Sequence, residues 1–191
     1  MVTLDTFCSD SFVQRLKLFV LVALFLPAYV PAQDNEALQA VHQELSGKFD
    51  EVAHVSSDQL QRLSSDQILL LDVREADEYA VSHLVNAIQV DPGIGTRQFM
   101  RRFASRLQDK IVIFYCSVGY RSSGLAEDLQ QRLVKSGAKA VYNLEEGIFG
   151  WHNAGMKVVN TAGQTSRIHP YNNYWGRLLN RQEEVSYRPS E

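Results

Sequence analysis

The chain has 191 residues, 45% hydrophobic and 21% charged, which is the usage of a globular domain and excludes a mostly disordered chain or a polytopic membrane protein. The length allows one domain with residues to spare. With 19 Lys and Arg against 22 Asp and Glu, the net charge of −3 advertises no basic surface for nucleic acid, and the 5 histidines show no metal-ligand spacing.

Residues 1–32 read as a secretory signal peptide. Arg15 and Lys17 precede an unbroken apolar run from Leu18 to Leu26, and Val30 and Ala32 stand three and one residues before a cut after Ala32. The run is short for a spanning helix, which needs roughly 20 apolar residues; an uncleaved anchor is the alternative. Cleavage predicts a secreted, periplasmic protein that is free of the membrane. It also removes Cys8 and leaves Cys116 as a lone thiol in a compartment where disulfides are usual.

Residues 33–51 form a helix and linker, with Asp34 as the N-cap of a helix over 34–45 and Gly47 as its stop. From Val52 the pattern becomes short apolar runs alternating with helical stretches. The runs at 68–71, 88–90, 111–115 and 140–142 lack polar alternation, as strands buried on both faces do. A helix over 99–107, capped by Thr96, and a second over 122–135 with Leu125, Leu129 and Leu133 on one stripe lie between them. The spacing predicts an α/β fold with a mostly parallel central sheet flanked by helices on both faces.

Residues 160–191 form an extension. Its first part, 160–166, reads as a polar linker. Tyr171, Tyr174 and Trp175 then read as anchors that pack the extension back onto the domain by covering its core.

The strongest local signal is the run from Phe114 to Ser123. A buried strand ends at Cys116, a short loop follows, and a helix begins near Ser122. That places the thiol at the carboxyl end of a parallel strand, where open α/β sheets bind ligands. The loop N–H groups and the positive end of the helix converge on one centre, a nest that suits a thiolate nucleophile and an anionic substrate. Gly119 permits a backbone conformation or close approach that other residues resist. Asp72 and Arg74, at another strand end, read as a pair that braces the loops rather than reacts. His83 and His152 read as structural.

The segment Cys116-x-x-Gly119-x-Arg121-Ser122 resembles the active-site loop of single-domain rhodanese-like sulfurtransferases. Leu70 to Glu75, with Glu78, Tyr79 and His83, resembles the family's upstream signature. Asn143 to Ile148, with Trp151, Ala154 and Gly155, resembles its closing motif. The three motifs place a rhodanese-like domain at 52–159. Ser82, Asn86 and Glu146 depart from the family pattern, standing where glycines are common.

The resemblance implies double displacement without cofactor or metal. Cys116 attacks the outer sulfur of a donor such as thiosulfate, and a thiol or cyanide acceptor, or a protein sulfur acceptor, removes the sulfur from the resulting persulfide. Arg121 binds the anionic donor, and the N–H groups of Ser117, Val118, Gly119, Tyr120, Arg121 and Ser122 hold the sulfur. A cysteine-dependent phosphatase or arsenate reductase is the nearest rival; its loop typically carries one more residue between cysteine and arginine. A non-catalytic binding module of the same fold and a redox- or sulfide-sensing thiol are the others.

Overall fold

The two longest apolar runs after Val52 become adjacent interior strands, β2 (Ile68–Asp72) and β4 (Ile111–Tyr115), paired in parallel from Ile68 opposite Ile111 to Asp72 opposite Tyr115. Both faces of such a pair need cover. Leu69, Leu71, Val112 and Phe114 enter one apolar cluster, while Leu70, Ile113 and Tyr115 enter the other. The alternation is the two-residue period of an extended chain, with apolar side chains on both sides.

The computed structural model describes residues 36–189. The expected signal peptide at 1–32, Cys8 and the expected Asp34 cap lie outside them. The main sheet is parallel throughout, in the order β1-β5-β4-β2-β3, with β1 (His54–Val55), β3 (Ile88–Gln89) and β5 (Ala140–Leu144) completing it. Helix α4 (Thr96–Phe103) covers one face with Phe99 and Phe103, and α5 (Tyr120–Lys135) covers it with Leu125, Leu129 and Leu133. On the other face lie Leu60 of α2 (Ser57–Arg62) and Ile148 and Phe149 of α6 (Gly147–Asn153). Helix α1 (Glu36–Lys48) gives Leu45 to the first cluster and Leu38 to the second. Among the described residues, no helix is long and apolar enough to cross a membrane.

Three expectations need correction. Thr96 is the first helical residue of α4 and Gly95 its cap, because the backbone turns helical immediately after Gly95. Helix α5 begins at Tyr120 rather than near Ser122, since Gly119, at φ +100, makes the turn out of the loop. The polar linker is partly sheet: β6 (Val158–Asn160) and β7 (Gly163–Thr165) form an antiparallel hairpin, with Asn160 Oδ1 accepting the Ala162 N–H at 2.9 Å.

The extension packs on the domain through Trp175, as expected, and more deeply through Ile168 and Leu179, but not through Tyr174. Ile168 and Leu179 are buried in the second cluster, and Ile168 bridges Val185. Tyr171 and Tyr174 are 44% and 65% exposed; Trp175 packs partly against the core. Tyr171 takes φ +62.

Candidate active site

Cys116 follows the last residue of β4 and is 1% exposed. Its carbonyl accepts the Ile148 N–H at 2.9 Å, and the Ser117 carbonyl accepts the Phe149 N–H at 3.0 Å. The start of α6 thus fixes both carbonyls behind the loop. Gly147 makes this approach feasible: a Cβ there would stand 2.4 Å from the Cys116 carbonyl oxygen and 2.6 Å from that of Ser117. Gly119 is less crowded, since a Cβ would meet Asn143 Nδ2 at 3.1 Å, and its φ of +100 is the stronger demand for glycine. The first bond in the turn of α5 runs from the Ser123 N–H to the Gly119 carbonyl at 3.0 Å. The N–H groups of Tyr120, Arg121 and Ser122 precede it, in the open first turn that favours negative charge.

The side chains of the loop are divided in their tasks. Ser122 is buried and its hydroxyl donates to the Gly119 carbonyl at 3.2 Å. Ser117 donates to Glu78 Oε1 at 3.0 Å. Arg121 makes a two-pronged pair with Glu78, at 2.7 and 2.8 Å, and touches Ser117 Oγ at 3.1 Å. Burial works against both charges of this pair, yet the Arg121 guanidinium holds the Glu78 carboxyl below its ordinary value. Glu78 and Cys116 together keep Arg121 above its own. Glu78 was legible only as part of the upstream motif; its role as the partner of Arg121 was not.

Glu78 is held by α3 (Ala76–Val81), where it accepts the Glu75 N–H at 3.1 Å. Because its carboxyl is depressed, its pairing stabilises the fold above the unfolded carboxylate value of about 4.3 and fades as pH falls through the lower folded value. Glu78→Gln is therefore expected to lose about 2–3 kcal/mol at pH 7, the low end for a broken buried pair because Arg121 keeps some solvent. The gap from wild type should narrow below about pH 4.3. Denaturant melts across that range check this; a gap constant with pH would contradict it.

Asp72 and Arg74 do not line the cleft. Both are 0% exposed and face each other, with Nε to Oδ1 at 2.8 Å and Nη2 to Oδ2 at 2.6 Å. Arg74 also donates to the Ser82 carbonyl at 2.6 Å, and its own carbonyl accepts from Gln89 Nε2 at 2.8 Å. The pair ties the ends of β2, α3 and β3. His83 stacks on Tyr79 with ring centres 3.8 Å apart, and His152 lies between the Ser166 carbonyl and Glu184, each at 2.9 Å. Burial lowers both histidines.

Cys116 opens into a cleft of about 220 Å³, lined also by Ser117, Val118, Tyr120, Arg121, Tyr171 and Trp175. The last two come from the extension. The Arg121 guanidinium lies 4.7 Å from the centre of the Tyr171 ring. The cleft thus has a floor of cysteine-loop residues and a partly aromatic wall. It can present a thiol to a small anion.

The parallel sheet and the cysteine loop at the end of its interior strand define the class: residues 56–154 match the model of the rhodanese-like domain, and the chain belongs to that family. The thiosulfate sulfurtransferase GlpE of Coxiella burnetii is 27% identical over 104 residues, 54% of this chain and 87% of that one. The tRNA uridine(34) hydroxylase of Buchnera aphidicola is 29% identical over 106 residues, 53% of this chain but 31% of that one, so the match spans about a third of the hydroxylase. A thiosulfate sulfurtransferase structure from Pseudomonas aeruginosa superposes with a TM-score of 0.52 at 20% identity, over 75% of this chain and 26% of that one, a likeness of fold.

Proposed function

We propose that the protein is a sulfurtransferase that moves a sulfane sulfur from thiosulfate, or a related small donor, to a thiol or cyanide through a persulfide on Cys116. In the first step the Cys116 thiolate attacks the outer sulfur of thiosulfate. The new Cys116 S–S bond forms as the donor's own S–S bond breaks, and sulfite leaves with the electron pair. In the second, cyanide attacks the outer persulfide sulfur, thiocyanate leaves, and the Cys116 thiolate is restored. Electrons balance without a cofactor.

The observation that carries the reading is the commitment of Arg121. A phosphatase needs a guanidinium open to grip two phosphoryl oxygens. Here both terminal nitrogens of Arg121 are engaged by Glu78. With that charge shared, the first-turn and loop N–H groups supply most of the stabilisation of sulfur, as preorganised donors. Ser117 and Ser122 act through the loop's shape. Coverage of 87% of a relative named for thiosulfate sulfur transfer supports the same chemistry.

Thiocyanate release from thiosulfate and cyanide tests it. Two-step kinetics that vanish in Cys116→Ser are expected. Cys116-dependent turnover of an aryl phosphate, with no thiocyanate formed, would replace this reading by the phosphatase. Neither activity would leave a binding module.

A further inference from the structure

The wall that the extension contributes to the cleft lies outside residues 56–154, the part matched to the family. It is rigidly built. Ile168 and Leu179 anchor the segment in the core, and Asn153 clamps it by donating to the Leu178 carbonyl at 2.7 Å and accepting the Asn180 N–H at 2.9 Å. Between these anchors, Asn172 Oδ1 accepts the N–H groups of Tyr174 and Trp175, each at 3.0 Å. Gly176 packs so closely that a Cβ would lie 2.8 Å from Pro170 Cβ.

Tyr171 is the unusual element. An aromatic residue at φ +62 is in the left-handed region, which persists where surroundings impose it and which clusters at functional sites. Two contacts impose it here. The Tyr171 N–H donates to His169 Nδ1 at 3.1 Å, and the ring stacks against Arg121. Across the cleft, Tyr120 is steadied by a hydrogen bond from Lys48 of α1. The resulting 220 Å³ is below the roughly 300–1,000 Å³ of pockets that take drug-sized ligands.

We propose that Tyr171 and Trp175 are specificity-determining residues of the Cys116 site, which restrict access to the sulfur to slim molecules: small sulfur-bearing anions and unbranched low-molecular-weight thiols. Bulky thiols and folded protein surfaces are turned away by the two rings. The proposal rests on Cys116 as the reactive group of the cleft and needs no sulfur transfer to be tested.

The test is alkylation of the full-length chain by iodoacetamide and by the bulkier N-pyrenylmaleimide, read on the Cys116 peptide so that Cys8 does not contribute. Wild type should react with the small reagent and strongly disfavour the large one. In Tyr171→Gly the ratio of large- to small-reagent rates should rise about tenfold, the usual scale for removing a pocket group. Glycine is at ease at this φ, so this variant keeps its fold even if Trp175→Ala does not. Tyr171→Phe should retain the wild-type ratio. An unchanged ratio in Tyr171→Gly overturns the proposal, as does a wild-type Cys116 that resists iodoacetamide or accepts both reagents equally. A chain that shows the shift but takes no sulfur from thiosulfate keeps the wall and loses the proposed activity. One that takes sulfur but shows no shift does the reverse.

Discussion

Gly147→Ala is expected to reduce sulfur loading at Cys116 by about 100-fold, the scale associated with a misplacement of roughly 1 Å. The added methyl would stand 2.4 Å from the Cys116 carbonyl oxygen and 2.8 Å from the Ser117 carbonyl carbon, and neither can retreat without moving the loop. Those carbonyls are the acceptors of the Ile148 and Phe149 N–H groups. Displacing them turns the loop N–H groups away from the sulfur. The residue also sits at φ +57, where a side chain adds about 1–2 kcal/mol of strain. Gly155 separates the two effects. It has φ +72 but nothing within 4 Å of a Cβ, so Gly155→Ala should carry the strain alone and leave loading intact. Melting and single-turnover loading of the two variants, side by side, check this. Equal loading would show that the α6 start does not shape the loop.

The largest loss of stability is expected for Asp72→Ala. Burial works against the charge of the Arg74 guanidinium; Asp72, at two hydrogen bonds, outweighs it and raises the group above its ordinary value. Removing the carboxylate leaves a cation sealed between β2 and Tyr115, whose ring centre is 5.8 Å away. The loss should be about 3–5 kcal/mol, a large part of the roughly 5–15 kcal/mol that holds a domain together. It should spread to the site, because Arg74 also holds the Ser82 carbonyl at the end of the helix that carries Glu78. The double variant Asp72→Leu with Arg74→Met should recover much of the stability, since an apolar pair of similar volume asks for no desolvation. Denaturant titration measures both. A double variant as unstable as the single one would mean that the loss comes from the shape of the pair, not from the stranded charge.

What the sequence made legible follows from the range of the interactions. Strands β2 and β4 were readable because burial on both faces leaves an unbroken apolar run, a local signature. The end of α5 was readable for the same reason: its leucine stripe stops before Gly137, which turns at φ +103 with the Ala138 N–H on the Leu133 carbonyl at 3.1 Å. The cysteine loop was readable because strand, loop and helix start follow one another directly. The departures at Asn86 and Glu146 occupy φ +64 and +58, so the turns that favour glycine are kept with other residues; Ser82 is extended and carries no such demand.

Other features depended on contacts that no local pattern records. Glu78 and Arg121 stand 43 residues apart, and an acidic residue on a six-residue helix gives no sign that it is 1% exposed. Helix α2 had a readable start in Ser56 and Gln59, which form a capping box, but six residues are too few for an apolar stripe. The hairpin of β6 and β7 sets Val158, buried in the second cluster, and Val159 opposite the polar Thr165 and Gln164, and a bridge between His83 and Val159 joins it to the domain. Tyr171 and Trp175 were legible as aromatic bulk. That both rings line the Cys116 cleft, Trp175 while also packing partly against the core, rests on contacts distant in sequence.

The claim that Cys116 carries transferred sulfur is tested most directly by the intact mass of the protein after thiosulfate and removal of excess donor. The account predicts a gain of one sulfur atom, located at Cys116, absent in Cys116→Ser and discharged as thiocyanate when cyanide is added. An unchanged mass, in protein whose Cys116 still reacts with iodoacetamide, would contradict it.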